Sequence, residues 1–138
     1  MRQKELRIAL VCYGGVSLAV YMHGVTKELW KLARASRDFH SGEAPAGGSE
    51  AVYRRLLEHI EVEHGLRLRV LPDIVAGASA GGINGVFLAQ AIHSGQSLEP
   101  LTELWLGRAD WAVAAAAFSR SLTATPPRRS RRCGSCWR

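Results

Sequence analysis

The run Gly77-Ala78-Ser79-Ala80-Gly81-Gly82 constrains this chain more than any other stretch of its sequence. An apolar segment, Leu68 to Ala76, precedes it and is broken only by Pro72-Asp73. Behind it, Gly81 to His93 has helical character and ends near Gly95. Six small residues between a strand and a helix predict a tight strand-to-helix turn with Ser79 at its apex. Such a turn holds its central residue in strained φ/ψ, so the residues two positions to either side must carry almost no side chain. The helix that follows would present free N–H groups and the positive end of its dipole to the serine, which stabilises negative charge on an attacked carbonyl oxygen. Ser79 within Gly77-Ala78-Ser79-Ala80-Gly81 therefore reads as a nucleophile on a GxSxG turn. Two other readings stand beside it: a merely close-packed strand–helix turn, and a phosphate-binding turn.

The rest of the chain supplies the frame for that turn. Leu6 to Tyr13 is a short apolar run closed by Gly14-Gly15, the pattern of a strand buried on both faces of a parallel sheet. Ser17 is placed to cap a helix over Leu18 to Arg37, with Leu18, Tyr21, Met22, Val25, Leu29 and Leu32 facing the sheet. Asp38 to Ser49 is rich in Gly, Ser, Pro and Ala and reads as an exposed loop. Ala51 to His64 predicts a second amphipathic helix, with Val52, Leu56 and Ile60 on one face and Gly65 as its stop. Leu98 to Leu106 adds a fourth helix. The order strand, helix, helix, strand, helix argues for an α/β sheet with crossover helices.

Charge divides the chain in two. All 12 acidic residues lie between Glu5 and Asp110, and residues 1–118 carry 12 Lys and Arg, so that stretch nets 12 − 12 = 0. The remaining six Arg fall in the last 20 residues, so the high isoelectric point belongs to the tail and gives no reason to expect nucleic-acid binding. Residues 111–138 are rich in Ala, Arg and Pro with no apolar period, and read as a disordered tail. A reading-frame slip in GC-rich coding DNA would also give this abrupt change. The domain proper is assigned to residues 1–110. Of three cysteines, Cys12 lies in the first strand, and the Cys133–Cys136 pair lacks the second ligand pair that a zinc site needs. The basic start and apolar run to Val25 resemble a signal peptide, but Glu5 and Gly14-Gly15 interrupt the pattern and no small-x-small cleavage site follows. A cytoplasmic protein, with peripheral membrane contact, is expected.

Gly14-Gly15-Val16-Ser17 can aim backbone N–H groups at an anion but does not supply G-x-G-x-x-G. Combined with Ser79, it suggests an oxyanion hole built from two turns at the C-terminal ends of neighbouring strands. This pair of motifs resembles the patatin-like phospholipase family over about residues 6 to 110. The run Tyr13 to Leu29, with Tyr21-Met22-His23-Gly24 inside it, resembles a bacterial branch of patatin-related proteins. The resemblance implies a three-layer α/β/α sandwich with a mainly parallel sheet, present here as its N-terminal portion. It also implies hydrolysis of phospholipid or other lipid acyl esters by a Ser–Asp dyad, without metal or cofactor. By position, Ser79 matches the family nucleophile, and Gly14 and Gly15 match the oxyanion glycines. Val16 stands where the family usually has a third glycine, Leu18 where it has a basic residue, and Ala19 where it has a closing glycine. Val16 and Ala80 can still each offer a backbone N–H.

The implied dyad Asp lies in Asp-Gly-Gly or Asp-Gly-Ala, well downstream of the serine. After Ser79 the chain has only Asp110, followed by Trp111-Ala112. Asp73 lies about 20 Å back along the strand, and Asp38 lies in or beside a loop. His93, at the far end of the helix that Ser79 starts, points away from the turn. His23, His40, His59 and His64 show no ligand spacing and read as ordinary helix or surface residues. The expectation is a serine-dependent lipid acyl hydrolase whose dyad Asp is absent from this chain. The alternative is a catalytically inert fragment or a lipid-binding or interaction module.

Overall fold

A computed structural model describes residues 2–15, 17–44 and 47–107, together with Ala116 and Ser119. The expectations for Val16, for Asp110 and for the tail lie outside the described residues. Two parallel strands, β1 (Arg2–Cys12) and β2 (Leu66–Gly77), form the sheet. Between them run α1 (Ala19–Ser41) and α2 (Gly48–His64), and after them α3 (Ala80–Ser94) and the short α4 (Glu99–Trp105). Because the strands are parallel and in register, Cys12 pairs with Gly77 and both C-terminal ends reach the same edge. This is the α/β architecture expected from the sequence.

The break at Pro72-Asp73 has a structural meaning. Ile8 pairs with Pro72 and Ala9 with Ile74, so Asp73 is an extra residue that bulges from β2. The bulge shifts the alternation by one, letting Val70 and Val75 both face the helices. Asp73 is left at the surface, paired with Arg7 at 3.2 Å.

The helices cover one face of the sheet. Phe39 of α1 and Leu57 of α2 pack with Val70, Ile8 and Leu68. Trp30 of α1 packs with Leu88 and Ala91 of α3, and with Leu98, Leu10 and Val75. Ser36, fully buried, accepts the backbone N–H of Val70 at 2.8 Å and ties α1 to the middle of β2. On the other face Val11 and Ile74 are exposed, so the described strands are covered on one side and not, as the apolar runs suggested, on both. α2 and α3 end where Gly65 and Gly95 adopt the left-handed conformation, each donating its N–H to a carbonyl of the last turn.

The buried face of α1 is rotated from the one its apolar spacing predicts. Ala19, Met22, His23, Thr26 and Trp30 point inward, while Leu18, Tyr21 and Val25 are exposed. Ser17 does not cap the helix. Leu18 stands at the cap position without a side-chain bond, and its N–H donates to Gly15 O at 3.2 Å. The helix also continues through Asp38 and Phe39, both buried, so the loop is shorter than expected. In α2 the buried residues are Glu50 and Leu57, and Val52 and Leu56 are exposed.

Candidate functional site

The two turns suggested by the sequence lie side by side at the C-terminal edge of the sheet. Ser79 has φ 53° and ψ −128°, and among the described residues it alone of the non-glycines has positive φ. Holding a residue with a Cβ there costs about 1–3 kcal/mol and requires over-determined surroundings. The surroundings are backbone. Ala78 N–H donates to Cys12 O at 3.1 Å, joining the serine turn to the end of β1. Gly81 N–H donates to Ala78 O at 3.0 Å, and Ile83 N–H to Ser79 O at 3.1 Å, so the turn passes directly into α3.

The glycines on each side are there because of contacts. A Cβ on Gly77 would stand 2.5 Å from Gly81 O and 2.8 Å from Gly82 N. A Cβ on Gly81 would strike the carbonyls of Cys12 and Tyr13, where β1 runs out into the first glycine turn. A Cβ on Gly14 would come within 3.0 Å of Ser79 Cβ and 3.1 Å of Ala78 O. The turns therefore approach until only hydrogen atoms fit between them. Ser79 and Gly14 are exposed, while Ala80 is buried against Cys12, Ala19 and Met22. Burial pushes the Cys12 thiol pKa above its ordinary value, which keeps it a neutral core residue beneath the turns.

Of the first amides of α3, that of Gly81 is taken by Ala78 O and that of Ile83 by Ser79 O, so the helix start is tied back onto the serine turn. Around the glycine turn the surface is apolar: Tyr13 is 77% and Tyr21 71% exposed, with Leu18 and Val25 also open.

Among the described residues, the sequence candidates for a base do not come to the turn. Asp73 is held by Arg7 on the bulge, and Asp38 is buried near the C-terminal end of α1 beside Arg37. His93 lies exposed in the last turn of α3, about 20 Å from Ser79 at 1.5 Å per residue.

Two residues near the site are buried polar groups: His23, which the sequence reads as an ordinary helix or surface residue, and Asn84, to which it gives no role. His23 is buried, with Nε2 2.7 Å from Thr102 Oγ1 of α4; Lys27 donates to the same oxygen at 3.3 Å and pairs with Glu99. Asn84, fully buried, links three helices through its carboxamide. Their signal was a polar residue in an otherwise apolar or small-residue helical stretch, which marks a buried polar group that needs partners.

No helix among the described residues is long and apolar enough to cross a membrane. The family model of patatin-like phospholipases matches residues 10–113. An uncharacterised membrane protein of Mycobacterium tuberculosis is 38% identical over 109 residues, covering 75% of this chain and 10% of the relative. The chain thus spans about a tenth of that protein's length. No solved structure matches. Both turns fall within the matched region, and the chain belongs to the patatin-like phospholipase family.

Proposed function

We propose that Ser79 is the nucleophile of a lipid acyl hydrolase and that the glycine turn beside it supplies the oxyanion hole. The strained backbone of Ser79 carries this reading, because a non-glycine residue is held there only where its surroundings enforce it. Ser79 Oγ attacks the ester carbonyl of a lipid or phospholipid and forms a C–O bond while its proton passes to a base. The amides of Gly14, Gly15 and Ala80, with Val16 added by its place in the sequence, receive the oxyanion. The ester bond then breaks, the alcohol leaves with a proton, and water releases the acyl group from Ser79. The exposed side chains of Tyr13, Leu18, Tyr21 and Val25 favour an apolar acyl chain or a bilayer surface as what approaches the turn.

The base is the part this chain does not supply. Its sequence has no Asp-Gly-Gly or Asp-Gly-Ala after Ser79, and general-base assistance is worth about 10²–10⁴-fold. The 138-residue chain alone is therefore expected to turn over no ester above a Ser79→Ala control. The second reading is a non-catalytic lipid-binding module, favoured by the exposed Tyr13, Leu18, Tyr21 and Val25. A fluorophosphonate probe separates the two. Covalent labelling lost in Ser79→Ala supports the nucleophile. Vesicle binding by an unlabelled chain supports the module.

A further inference from the structure

Asn84 has two neighbours that between them fix its carboxamide. Nδ2 donates to the carbonyl of Ala19 at 3.2 Å, and Oδ1 accepts the indole N–H of Trp105 at 3.0 Å. A carbonyl can only accept and an indole N–H can only donate, so the amide has one orientation. The residue is fully buried, and these bonds join α3 to the first turn of α1 and to the end of α4.

Where those bonds fall matters more than their number. Asn84 lies one helical turn beyond Ala80, on the helix that Ser79 begins. Ala19 is the first residue of α1. Just before it, Leu18 N–H closes back onto Gly15 O, and Gly14 abuts Ser79. We propose that Asn84 is a positioning residue for the glycine turn: by holding Ala19 to α3 it fixes Gly14 and Gly15 at their distance from Ser79, and Trp105 keeps the carboxamide aimed. The proposal rests on the reading of that turn as the oxyanion hole. A hydrophobic residue of the same size would leave the Ala19 carbonyl and the Trp105 indole without their partner, so packing alone does not account for an amide here.

The test is the amide spectrum of the full chain, with the Gly14, Gly15 and Trp105 indole resonances assigned, in wild type, Asn84→Asp, Trp105→Phe and Thr102→Val. In Asn84→Asp the carboxylate can still accept from Trp105 but cannot donate to Ala19. The Gly14 and Gly15 resonances then shift at neutral pH. They return toward wild-type positions at acid pH, where the protonated acid donates again. Trp105→Phe moves them part of the way. Thr102→Val, which loosens α4 at its other attachment, leaves them in place. Glycine resonances unmoved in Asn84→Asp, a shift that acid does not reverse, or an equal shift in Thr102→Val would each overturn the proposal. Should Asn84→Asp fail to fold, Trp105→Phe decides alone, and unmoved glycines sink the idea. Fluorophosphonate labelling is scored separately. Where wild type labels, Asn84→Asp slows it about tenfold at neutral pH. Absence of labelling in wild type with the glycine response intact removes the oxyanion reading but leaves Asn84 holding the turn, and labelling with no glycine response removes the positioning role alone.

Discussion

Gly14 and Ser79 meet so closely across the ends of the two strands that a Cβ on Gly14 would lie 3.0 Å from the Cβ of Ser79. The neighbouring carbonyl of Ala78 would be 3.1 Å away, so neither side of the gap is a flexible side-chain end. Gly14→Ala should force the turns apart at a cost of about 1–3 kcal/mol. Urea denaturation checks the stability loss. If Ser79 is the nucleophile, fluorophosphonate labelling should fall with it.

Ser79 itself carries strain that glycine would not. Ser79→Gly relieves about 1–3 kcal/mol, partly offset by about 0.4–1 kcal/mol of added freedom in the unfolded chain. A net gain of about 1 kcal/mol is expected. Ser79→Ala keeps a Cβ at the same φ and should gain nothing. Equal midpoints for the two variants would show that the backbone is relaxed.

Two glycines should respond in opposite ways to the same methyl group. Gly24 lies inside α1, and a Cβ added there would meet nothing within 4 Å, so Gly24→Ala should stabilise by about 1 kcal/mol through helix propensity. Gly81 faces the carbonyls at the end of β1, and Gly81→Ala should cost at least about 2 kcal/mol. Thermal melts of the pair would decide, and similar shifts would argue against the close approach.

Acid should weaken the fold through His23. Burial, reinforced by Lys27 and partly opposed by Glu99, holds its imidazole below the ordinary value of 6.5. The unfolded chain therefore binds a proton at a pH where the folded chain does not. Stability linked to neutral His23 is complete above about pH 6.5 and is lost as pH falls through the lower folded value. Unfolding free energies from about pH 7.5 to about pH 5 should decline for wild type and decline less for His23→Gln. Parallel curves would assign the acid sensitivity elsewhere.

The sequence was most legible where backbone geometry leaves few choices. The small residues from Gly77 to Gly82 located the strand-to-helix turn, and Gly65 and Gly95 marked the helix ends. Periodicity misplaced the inward face of α1 because it weighs apolar residues alone. His23 and Ser36 are buried with partners far along the chain, Thr102 and Val70, and Thr26 is buried with its hydroxyl on His23 O, while Tyr21 is left outside. Asp73 interrupts the strand pattern in the sequence because it is a bulge that shifts the alternation by one. Asn84 was passed over because nothing local to it announces Ala19 or Trp105 as partners.

Gly14 and Ser79 are 79 − 14 = 65 positions apart in the chain, although they touch across the paired strand ends. Their meeting requires the crossover through α1 and α2 to bring β2 beside β1. Contacts of this separation carry a loop-closure entropy that local helices do not, and they slow folding. Early in refolding the chain can hold helical structure while the serine turn has no β1 carbonyls to brace it. Recovery of Ser79 geometry should then lag the helical signal, so a probe at the site would time the docking of the two strands.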